Sequence, residues 1–150
     1  MTVTVAPSTE ACLALVTQIN AGTDYVLERP AEYSRLEVLP LEEVSTLQVD
    51  VVAVDEEQLS ETLDIEDRTS HKIVIWIREK LRDLTPETID DRCLLVRQIF
   101  QRVNNFDSSD RRVRVWEVDE ETRMTPDKNL LNTMQLFAVS IVLRVEVNPS

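Results

Sequence analysis

Few side chains in this sequence are equipped for acid–base, metal or anion chemistry, and they are scattered. His71 is the single histidine, and Cys12 and Cys93 are far from it and from each other. A metal centre or an activated nucleophile needs such groups at ligand or hydrogen-bond spacing; here both cysteines fall on apolar stripes and read as small buried residues. His71 borders an acidic run with Lys72 beside it, and reads as a surface or strand-end residue. Asp90 and Asp91 are adjacent on a helix, so they point in different directions and cannot share a proton as a catalytic carboxylate pair does. The run from Asp55 to Asp67 holds seven carboxylates and no basic residue. It lacks the spaced ligands and mid-loop glycine of a calcium hand, so it would hold a cation loosely at best. With Gly22 the only glycine, a phosphate-cradling loop is not expected.

One cationic cluster stands out: Arg111, Arg112 and Arg114, with Trp116 on the same strand face. Arginine and an aromatic on one face can stack on single-stranded nucleic acid. The chain as a whole, however, carries 28 acidic against 16 basic residues, a net charge of −12, which repels phosphates. The arginines are therefore expected to meet carboxylates, on neighbouring strands or on a neighbouring subunit. Specific nucleic-acid binding is not expected, and neither is a cofactor, a metal or catalysis.

These groups need a scaffold, and 150 residues with 43% hydrophobic content suffice for one domain spanning 1–150. The longest apolar runs fall short of the roughly 20 residues that cross a bilayer. The first residues lack the basic and apolar regions of a signal peptide, so the expectation is a cytoplasmic protein with reduced thiols.

Residues Thr2 to Val5, within a possible arm over 1–7, alternate Thr and Val as a weak strand. Thr9 to Asn20 places Cys12, Leu15, Val16 and Ile19 on one helical stripe, capped by Ser8 or Thr9, with Ala21 and Gly22 as a left-handed exit. Tyr25 to Glu28 and Leu36 to Leu39 read as short extended pieces. Leu47 to Val54 is a strand with Leu47, Val49, Val51 and Ala53 on one face. Asp55 to about residue 70 reads as a long solvated acidic loop with a helical turn near Leu59 to Leu63. Lys72 to Arg78 returns as an apolar strand, making a hairpin with an acidic tip. Thr85 and Pro86 open a helix to Asn104 whose stripe contains Ile89, Cys93, Val96, Phe100 and Val103. Leu94 projects from its opposite side. Arg111 to Val118 is a strand, Thr122 to Asn132 a loop with a turn capped by Asp127, and Gln135 to Val147 a long central strand with Phe137, Val139, Ile141, Leu143, Val145 and Val147 on one face. The fold class is α+β: a mainly antiparallel sheet with two helices packed on one face and a long protruding hairpin.

This layout, carried by Ser8 to Gly22, Leu47 to Arg78, Pro86 to Asn104, Arg111 to Val118 and Gln135 to Val147, resembles the tail terminator or tail-completion proteins of long-tailed bacteriophages. The resemblance implies a virion protein of the tail and neck. It would form a ring of copies of itself, commonly six, that caps the tail tube protein, joins head connector proteins and lets DNA pass through an acidic lumen without specific binding. No motif of the family fixes contact residues, so those expected to meet a subunit or the tail come from this chain: Asp55, Glu56, Glu57, Leu94, Arg111, Arg112, Arg114 and Trp116. The arginines are placed against a subunit or the tube rather than in the lumen, where they would retard DNA. The alternatives are another tail component, such as a tube or baseplate adaptor subunit, and then a small hydrolase using Asp90, Asp91 and the arginines.

Overall fold

Two strands of the sheet, β2 (Gln48–Gln58) and β3 (Thr69–Lys80), run antiparallel in register from Gln48 opposite Arg78 to Gln58 opposite Thr69. The structure, a computed structural model, describes residues 6–34, 46–58 and 68–148, the side chains of 57 and 58 excepted. The expected hairpin tip, the turn expected at Leu59 to Leu63, the expected extended piece Leu36 to Leu39 and the expected strand Thr2 to Val5 lie outside the described residues.

Around that pair the described elements are α1 (Pro7–Asn20), β1 (Glu32–Tyr33), α2 (Pro86–Val103), β4 (Val113–Val118), α3 (Lys128–Met134) and β5 (Leu136–Val147). The sheet order is β1-β2-β3-β5-β4, antiparallel throughout except for β1 beside β2. The class is α+β, with, among the described residues, a five-stranded, mostly antiparallel mixed sheet and three helices.

Alternation builds the core. Ile73, Ile75 and Ile77 of β3 lie beside Phe137, Val139, Ile141, Leu143, Val145 and Val147 of β5, joined by Val49 and Val51 and by Val113 and Val115. This face is covered by Ala11, Cys12, Leu15 and Ile19 of α1 and by Leu95, Val96, Ile99 and Val103 of α2. α1 touches all five strands, and α2 lies against α1 and β5. Each fully buried aliphatic or aromatic side chain contributes about 1.5–3 kcal/mol. A reciprocal clasp fixes the two helices together: Gln18 Nε2 donates to the Arg102 carbonyl at 2.9 Å, and Arg102 Nη2 to the Gln18 carbonyl at 3.2 Å.

Several local expectations are corrected. α1 starts earlier, with Ala6 as its N-cap and Pro7 in its first turn, and neither Ser8 nor Thr9 caps it; proline's missing N–H costs nothing there. Gly22 is not left-handed. It is required because a Cβ would stand inside the ring of Tyr25, whose hydroxyl donates to the Ile19 carbonyl at 2.5 Å. Tyr25 to Glu28 is not a strand; the short parallel strand is Glu32–Tyr33. Asp127 opens a full helix, accepting from the Asn129 and Leu130 amides, so the described residues hold three helices rather than two. Arg111 belongs to a left-handed turn with φ 61°, ahead of β4 rather than in it. The cap of α2 is as expected, Thr85 accepting from the Thr88 amide.

Candidate functional site

Opposite the helices, the second sheet face is built from the even-numbered residues of β3 and β5. Each of two β-bulges adds one residue to it. The first is at Val54, where the partners jump from Ala53 and Ile73 to Asp55 and Lys72. The second is at Trp116, between Val115 opposite Val145 and Glu117 opposite Arg144. An extra residue re-aims the side chains that follow it. Both Val54 and Trp116 are exposed as a result.

Along this face the charges are paired across strands. Arg144 Nε is 3.1 Å from Asp119 Oδ2, and Lys72 bonds Glu121. Backbone N–H donation from Glu121 holds the Asp119 carboxyl below its usual range, helped by Arg144. Glu146, almost buried, takes two guanidinium groups: Arg114 Nη2 at 2.8 Å on one oxygen and Arg68 Nε at 3.2 Å on the other. The indole of Trp116 spans β5, donating from Nε1 to Ser70 Oγ at 3.1 Å.

Nearer α3, Trp76 and Ser140 line two adjoining clefts. One, of about 460 Å³, runs beside Arg123, Pro126 and Leu130; the other, of about 390 Å³, beside Val54, Lys72 and Val142. At the β2 side Asp50, only 2% exposed, is 3.5 Å from Arg78, whose guanidinium lies over Trp76. Gln48 bridges Asp50 to Arg29. Burial pushes the Asp50 carboxyl up, opposed by the Gln48 hydrogen bond and the charge of Arg78.

The residues singled out from sequence are dispersed over this frame. Asp55 and Glu56 are strand, not loop, and both are exposed. Glu57 shares the strand by its backbone, opposite Ser70, and its side chain lies outside the described residues. Past the bulge, Asp55 faces the open side with Lys72 while Glu56 faces the helix side with His71. His71 is not a surface residue: it is fully buried, with Nε2 2.8 Å from the Thr69 hydroxyl and Nδ1 3.5 Å from Glu56. Burial lowers its pKa, and Glu56 partly opposes that shift.

Arg112 and Arg114 each have an ion-pair partner within the chain. Arg112 grips Glu10 of α1 through two nitrogens, at 2.8 and 2.9 Å, and Arg114 takes Glu146. The Arg114 pair runs across neighbouring strands, as expected, while Asp119 and Glu121 serve Arg144 and Lys72. Arg111 is exposed, apart from this face. Leu94 is 55% exposed on the outer side of α2, and Asp90 and Asp91 are exposed near that helix's start. The outer edge of β4 is partly covered, with Ser108 N–H donating to the Val113 carbonyl and Val115 N–H to the Phe106 carbonyl.

Cys12 is buried and its thiol is pushed up to about 12 by that burial, which keeps it protonated. Among the described residues no His, Cys, Asp and Glu group is placed to hold a metal ion, and no helix is long and apolar enough to cross a membrane. No protein-family model matches the chain, and no curated protein matches it.

Proposed function

We propose that the chain is a structural subunit of a long-tailed phage particle, a tail terminator that assembles with copies of itself into a ring and joins tail tube to head connector. The observation that carries this reading is the β2–β3 pair. Its two strands, of 11 and 12 residues, pair antiparallel with one bulge at Val54, border an acidic segment and are followed by α2, β4, α3 and β5. Apart from α3, that is the element order the resemblance rests on. The second sheet face, opposite α1 and α2, carries the exposed Val54 and Trp116 as a surface for neighbours, and closed rings use such heterologous contacts between unlike patches. A net charge of −12 suits a channel that a polyanion must traverse without sticking.

Native mass spectrometry and negative-stain microscopy of the purified protein, alone and with tail tubes, test the reading. Rings, or caps at tube ends, are expected. Long filaments would assign it to the tube instead, and a strict monomer that ignores tubes and connectors would overturn it.

A further inference from the structure

Two half-exposed guanidinium groups share one carboxylate on the open sheet face. Arg68 and Arg114 have side chains 52% and 51% exposed, whereas Glu146 between them is 7% exposed. Glu146 therefore offers each arginine a single oxygen and leaves their outward N–H groups facing solvent. Exposed Asp107 adds a field at Arg114 without an ion pair to it. Between the arginines and β3 the Trp116 indole is held by Ser70, 44% exposed, its ring fixed before any partner arrives. A pre-positioned aromatic flanked by arginines is the composition of a contact anchor.

We propose that this patch receives the acidic segment 55–67 of a second copy of the chain. Charge complementarity singles out that occupant: the segment holds seven carboxylates and no lysine or arginine, so it meets forked guanidinium donors without a competing like charge. Its Leu59, Leu63 and Ile65 supply apolar groups for the indole. Segment 55–67 shares no residue with Arg68, Arg114 and Trp116, so a contact between copies is head-to-tail and can close into a ring. The inference names the partner surfaces of the assembly proposed above and rests on that reading.

The test uses the full-length protein and a synthetic peptide of residues 55–67. Binding is expected to shift the Trp116 indole N–H resonance, to weaken with added salt, and to fall roughly tenfold in Arg68→Ala, a variant that leaves the Arg114–Glu146 pair intact. Trp116→Phe is expected to weaken it as well, and a peptide with its carboxylates replaced by amides should not bind. Absence of binding to wild type kept free of rings by dilution, equal binding by Arg68→Ala, or occupation of the patch by the same copy's own segment overturns the proposal. Native mass spectrometry of the same samples separates the two ideas. Rings that persist unchanged in Arg68→Ala sink the patch and keep the ring; a monomeric wild type that still binds the peptide at Trp116 does the reverse.

Discussion

Glu56 stands directly opposite His71 in the β2–β3 register, with 3.5 Å between its Oε1 and a ring nitrogen of an imidazole that no solvent reaches. Burial holds His71 below its ordinary 6.5, with Glu56 opposing. The unfolded chain then binds the proton more readily than the folded one, so stability is complete above pH 6.5 and declines as pH falls toward the folded value. Thermal melts between pH 7.5 and 5 should show that decline, and His71→Phe should flatten the portion below 6.5. An identical profile in both proteins would refute the assignment.

Asp50 and Arg78 make a second buried contact of opposite charge. Removing only the carboxylate, in Asp50→Ala, strands a guanidinium that is 11% exposed and is expected to cost about 3 kcal/mol or more in denaturant unfolding. Replacing both, as Asp50→Leu with Arg78→Met, should return to within about 1 kcal/mol of wild type. A double variant as unstable as the single would show that the pair contributes more than charge compensation.

Gly22→Ala is expected to destabilise by about 1–3 kcal/mol, because the added methyl meets the Tyr25 ring and must displace it. In a Tyr25→Ala background the same substitution should be close to neutral. The coupling energy of that double-mutant cycle is the measurement, and additivity of the two changes would contradict the contact.

Asp127→Ala removes the acceptor for two amides at the start of α3 and is expected to cost about 1 kcal/mol. Hydrogen exchange at Asn129 and Leu130 should accelerate, while that of Ile141 in β5 follows only the global change. Unaltered exchange at the helix start would show that the cap adds nothing.

The strand β5 was legible because its odd positions are uniformly apolar, and α2 because Thr85, Pro86 and a 3.6-residue stripe agree. β1 was not, since two residues carry no period and its pairing depends on β2. The bulges escaped for a related reason: alternation counts residues two at a time and cannot register one extra. Hence the true faces of Asp55 and Glu56 were hidden. For His71 a signal existed. The parity of Ile77, Ile75 and Ile73 runs back to it and places it on the core face, against the impression given by Lys72 and the acidic run. The Arg112–Glu10 grip joins β4's approach to α1 across most of the chain, and no local pattern announces such a pair.

Among the five described strands, the last in chain order is not at a border. β5 slots between β3 and β4, and β4 has no other described strand to lie against. Until β5 emerges, β3 keeps a bare flank and β4 waits apart, so assembly of the sheet ends by insertion into its middle. Late, long-range insertion of this kind slows folding and exposes sticky strand flanks meanwhile, which makes nascent chains halted before β5 the form of this molecule most prone to aggregate.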